Sequence, residues 1–152
     1  LRTDRLYAEY LIPVCAPSLL TGEKPLKTPS DLIYHTLLHD TSRRDWQAYV
    51  RQLEIQNQIN VQQGPIFSHS SMVIQAAVHG QGVALVNNVM ARSEIESGRL
   101  VRPFPDVLVS KNAFYLVCQD SQAELGKIAA FRQWILSQAA NEQEKLGLLA
   151  SS

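Results

Sequence analysis

Residues 70–88, SSMVIQAAVHGQGVALVNN, place a helix pattern, a glycine pair and a strand pattern in that order. Met72, Val73, Ala76, Ala77 and Gly80 recur at helical spacing, and residues 83–86 form a short apolar run suited to a buried strand. A dinucleotide-binding loop needs the reverse order. Its G-x-G-x-x-G follows a strand and opens a helix, so that the pyrophosphate meets the positive helix end. Here the third glycine position holds Leu85, and the pair sits at a helix C-terminus, whose partial negative charge repels phosphate. Gly80 is therefore expected to be a left-handed helix cap and Gly82 a close-packing turn residue. The informative end of this helix is its start. Ser70 or Ser71 is the expected N-cap. The unpaired N–H groups around Ser70, Ser71 and Met72 form a donor cluster suited to a carboxylate or phosphate. The plainer alternative is that the serines only cap the helix.

The same alternation runs through the chain. Residues 7–15 read as one or two strand segments around Pro13. Thr28, Pro29 and Asp31 signal the start of a short helix, and HTLLHD at 35–40 resumes a strand. Ser42 and Asp45 signal another helix, with Trp46, Tyr49, Val50 and Leu53 on one face. Residues 59–67 read as a strand broken at Gly64-Pro65. Asn87 or Asn88 should cap a helix ending at Gly98, and LVRPF should be a short edge strand. VLVS and AFYLVC read as two strands joined by Lys111-Asn112. SQAE at 121–124 is a capping box for a long helix with Leu125, Ile128, Phe131, Ile135 and Ala139 on one face; the tail 141–152 is expected to fray. Alternating strands and helices predict an α/β sheet flanked by helices.

Little in the chain suggests catalysis. G-x-S-x-G, P-loop and H-E-x-x-H motifs are absent from the 152 residues. His35 and His39 are four apart, but on a strand that spacing is not a helical zinc pair, and no third ligand is near. No catalytic residue, metal or cofactor is expected. Fourteen basic residues balance fourteen acidic ones, which disfavours direct binding to nucleic acid or to an acidic membrane. No apolar run approaches the roughly 20 residues of a membrane span. Cys15 and Cys118 lie in apolar runs and read as reduced core thiols of a cytoplasmic protein. The chain opens at Leu1, which reads as a piece cut from a longer protein.

AAVHGQGVALVNNVMARSEIESGRLVRPF, following the serine-started helix, resembles the effector-binding domain of LysR-type transcriptional regulators. The closing FYLVCQDSQAELGKIAAFRQWI resembles that family's last strand and helix, and PVCAP, TPSDL and HTLLHDTSRRDW also match. The resemblance covers residues 1 to about 140. It implies an α/β, periplasmic-binding-protein-like effector domain with a complete second subdomain and the closing strand and helix of the first. Residues 1–12 would be a crossing strand from subdomain one, 13–112 subdomain two, and 113–140 the closing elements. The implied function is effector sensing and homo-oligomerisation. The effector, a small and anionic molecule, would sit between the subdomains at Ser70, Ser71 and Met72, with His39, Asn87 and Phe114 as further candidate contacts. Promoter DNA would be read by a helix-turn-helix domain outside this chain, and an accessory regulatory protein is a further implied partner. A periplasmic solute receptor and a small enzyme are the competing readings of such an architecture. The core cysteines and the HGQGVAL wording disfavour the receptor.

Overall fold

The computed structural model describes residues 2–118 and 126–151, with side chains described for residues 3, 10–109, 117 and 126–141. Five strands and four α-helices are assigned among the described residues: β1 (Arg2–Val14), β2 (Leu37–Asp40), α1 (Arg44–Gln52), β3 (Ile66–Phe67), α2 (Ser70–Val78), β4 (Val83–Asn87), α3 (Asn88–Glu96), β5 (Leu108–Cys118) and α4 (Gly126–Ser151). Two 3-10 turns, Pro17–Leu20 and Pro29–Tyr34, separate β1 from β2. The strand order is β3-β2-β4-β1-β5. β2 runs parallel to β3 and β4, whereas β1 is antiparallel to β4, from Leu11 opposite Asn87 to Val14 opposite Ala84.

The chain divides into two compact units. Unit two is Tyr10–Leu108, and unit one combines residues 1–9 with 109–152. In unit two the strand period of two sorts the core. Leu11, Leu37, Val83 and Leu85 join Trp46, Tyr49 and Val50 of α1 in one apolar cluster. Ile12, Val14, Leu38, Ala84 and Val86 face the other way and join Val73, Ile74 and Ala77 of α2 and Ala91 of α3. β1, β2 and β4 are thus buried on both faces in this unit, which explains why β4 reads as an unbroken apolar run.

The turn after α2 follows the sequence expectation. Gly80 has φ +77°; its N–H donates to Ala77 O (3.0 Å) and the Gln81 N–H to Ala76 O (3.1 Å), the paired bonds of a Schellman cap. Gly82 is buried where a Cβ would collide with the Thr36 carbonyl. The Thr28 start is also present: the Lys27 and Thr28 amides donate to Asp31 Oδ2 (3.0 and 2.9 Å), and the Thr28 bond is the main cause holding that carboxyl below its usual pKa.

Several local readings change. Only Ile66–Phe67 of the 59–67 stretch is strand, because buried Ile55 and Ile59 anchor an irregular segment before it. LVRPF contributes a single bridge, Val101 to Cys15. Residues 108–118 form one strand, and Pro13 lies within β1 rather than dividing it. In α1 the N-cap is Arg43, and Ser42 Oγ accepts the Arg44 N–H (3.3 Å).

In unit one, β1 and β5 are sheet neighbours. The capping box at 121–124 and Leu125 lie outside the described residues. α4 continues through residues 142–146, rich in good helix formers, to Ser151 instead of ending near Asn141. Its buried positions are Arg132 and Ala139, while Phe131 and Trp134 are more than half exposed. Of the expected face, Ala139 is buried and Ile128 and Ile135 are partly buried, whereas Phe131 is exposed.

Candidate functional site

Parallel pairing brings the C-terminal ends of β2 and β3 together, with Asp40 opposite Phe67, and α2 begins after two intervening residues. The N-cap of α2 is His69, extended at φ −138°, and no side chain caps the helix there. Ser70 and Ser71 are thus the first two helical residues, not the cap. The His69 carbonyl accepts the Met72 and Val73 N–H groups at 3.0 and 3.3 Å. The Ser70 and Ser71 amides precede the first intrahelical bond, as at any helix start, and point along the positive end of the dipole.

The two serines differ. Ser70 Oγ donates to Asp40 Oδ2 at 2.5 Å, so its hydroxyl is already committed, and Asp40 Oδ1 is buried with no partner among the described residues. Ser71 and Met72 are exposed and line an open groove of about 360 Å³, with Phe67, Gln75, Ala76 and His79 among its other walls. The donor cluster therefore consists of backbone amides and the Ser71 hydroxyl, with a carboxylate beside it and an apolar wall next to that.

The other candidates do not gather here. His39 is fully buried. Alternation along β2 puts Leu38 and Asp40 on the α2 face and Leu37 and His39 on the α1 face. His39 Nε2 donates to Gln63 O at 2.9 Å, while its Nδ1 has no partner among the described residues. Burial, reinforced by the Arg43 charge, lowers its pKa despite that hydrogen bond. Asn87 is buried and caps α3, its Oδ1 accepting the Val89 N–H at 2.8 Å. Phe114 belongs to β5, and its side chain is outside the described ones. Asp40 is the site residue that local sequence signals miss, because its partner Ser70 is 30 positions away.

Among the described residues, no group of three or more His, Cys, Asp or Glu could hold a metal ion, and no helix is long and apolar enough to cross a membrane. Cys15 is a free, fully buried thiol whose pKa burial pushes up to about 11, as expected of a core thiol. The side chain of Cys118 lies outside the described residues.

Residues 1–140 match the LysR substrate binding domain, and the chain belongs to that family. It is 81% identical over 145 residues to the glycine cleavage system transcriptional activator of Escherichia coli K12, a match covering 95% of this chain and 47% of that protein. It is 41% identical over 145 residues to the homolog of that activator from Haemophilus influenzae Rd, covering 95% and 48%. The chain thus spans just under half the length of these relatives. Among solved structures, the effector domain of the transcriptional regulator AmpR of Pseudomonas aeruginosa superposes with a TM-score of 0.70 at 27% identity, covering 95% of this chain and 68% of that one. The fold is accordingly the α/β, periplasmic-binding-protein-like fold of LysR effector-binding domains.

Proposed function

We propose that this chain is the effector-sensing and oligomerisation part of a LysR-type transcriptional activator that controls glycine cleavage genes. The observation that carries the proposal is 81% identity, over nearly the whole chain, to the Escherichia coli activator. In this reading 13–112 is effector subdomain two, and residues 1–12 with 113–140 belong to subdomain one. The regulator works in the cytoplasm, as a homo-oligomer, without catalysis. It contacts promoter DNA through a helix-turn-helix domain, and an accessory regulatory protein acts with it.

The effector is a small molecule bearing an anionic group, held by the Ser70 and Ser71 amides and the Ser71 hydroxyl, with Met72 lining the groove beside them. Each element is modest; the helix dipole contributes about 0.3–1 kcal/mol at an exposed site. The Asp40 carboxylate, bonded to Ser70 beside the amides, opposes a purely anionic ligand. His39 and Asn87 shape the surrounding sheet rather than touch the effector, and Phe114 remains a proposed contact. Nothing in the site favours the periplasmic receptor reading.

The test is a chimera in which this chain replaces the matching part of the Escherichia coli activator. We expect it to bind the glycine cleavage promoter and restore induction of a reporter. A chimera that binds the promoter and oligomerises but cannot induce the reporter contradicts the proposal.

A further inference from the structure

Residues 53–65 lie against β2 without joining the sheet, anchored by buried Ile55 and Ile59. Their polar fastenings converge on Gln63. Arg43 Nη1 donates to Gln63 O (3.1 Å) and Val61 O (3.4 Å), and Arg43 Nη2 to Gly64 O (3.0 Å). The Gln63 side chain donates to His35 O (3.0 Å) and accepts the Leu37 N–H (3.2 Å). The His39 N–H donates to Pro65 O (3.0 Å), and the His39 ring donates through Nε2 to Gln63 O (2.9 Å). A carbonyl can only accept, so Nε2 carries a proton, and Nδ1, buried with no partner among the described residues, favours the neutral ring.

We propose that His39 is a proton-sensitive latch for segment 53–65: the neutral ring keeps the segment on β2, and protonation of Nδ1 in mild acid releases it while the rest of unit two stays folded. A proton on Nδ1 creates a buried donor with no acceptor and a second cation sharing the Gln63 carbonyl with Arg43. Water can relieve both only if the covering segment moves, and this irregular cover is held by fewer backbone ladders than the sheet beneath it.

Arg43 is the charge that acts on His39. Asp40, next in the strand, faces α2 and bonds Ser70. β3 and β4 carry no ionisable residue, segment 53–65 carries only the exposed Glu54, and α1 adds Arg44, Asp45, Tyr49 and Arg51 beyond Arg43. Burial lowers the His39 pKa relative to the unfolded chain, so the latched form is fully stable above the ordinary histidine value of about 6.5. It loses stability as pH falls from there through the lowered value.

Amide exchange of this chain, corrected for intrinsic rates, should be compared at about pH 7.5 and pH 5. We expect protection of the Leu37 and His39 amides to fall by about tenfold or more, while Leu85 and Val86 keep theirs. His39→Gln, which can still donate to Gln63 O but does not titrate, should hold the Leu37 and residue-39 amides protected at both pH values. Unchanged protection, equal loss in β4, or the same acid loss in His39→Gln overturns the latch. If that variant does not fold, NMR titration of the wild-type ring decides. Protonation over the same pH interval as the loss of protection supports the latch, and a ring that titrates outside it overturns it.

Discussion

Gly64→Ala is expected to remove on the order of 3 kcal/mol or more of the stability of unit two, a large share of what a domain of this size has. Two causes coincide at this residue. Its φ of +91° is a conformation that alanine enters only with strain, and an added Cβ would land on the carbonyl of Leu37. Leu37 cannot yield, because it is fully buried in a strand flanked by β3 and β4. Gly22→Ala is the control: its φ is +99°, but a Cβ there meets nothing within 4 Å. That variant should lose only the backbone strain, about 1–2 kcal/mol. Urea denaturation of both variants measures the difference. Equal losses would mean that the Leu37 contact does not matter.

Trp46→Ala should cost about 3–5 kcal/mol. Trp46 is only 1% exposed, meets Tyr49 edge-to-face with centroids 5.4 Å apart, and donates its indole N–H to Leu38 O at 3.0 Å. Truncation leaves a cavity on the α1 face of the sheet and removes the donor to that carbonyl. Trp46→Phe keeps much of the apolar volume and should lose less, about 1–3 kcal/mol for the hydrogen bond and misfit. Denaturation midpoints that rank the phenylalanine variant below the alanine one would contradict this division.

What could be read from the sequence was mostly local. Gly80, Gly82 and the apolar run of β4 carry their own instructions: a left-handed cap, a backbone contact and burial on both faces. Thr28 and Asp31 likewise announce their turn three residues apart. Segment 59–65 misleads because apolar Ile59 and Val61 alternate with polar residues as a strand would. Its course is set instead by Arg43 and Gln63, whose partners lie about 20 or more positions away. The polar Lys111 and Asn112 do not interrupt β5, which runs unbroken from Leu108 to Cys118. At the site, the start of α2 and the cap by Asn87 were legible. The commitment of Ser70 to Asp40 and the turning of His39 to the α1 face were not. Both depend on strand register, which fixes faces residue by residue and leaves no mark in a helix-start signal.

The effector reading can be tested at the amides themselves. Uniformly 15N-labelled chain should be titrated with sodium acetate and sodium phosphate at constant ionic strength, with acetamide as the neutral control. The proposed site predicts saturable shifts concentrated at the Ser70, Ser71 and Met72 amides with the anions, weak shifts with acetamide, and reduced anion shifts in Ser71→Ala. Shifts absent from these three amides, or unchanged when Ser71 is replaced by alanine, would contradict an anion site at the start of α2.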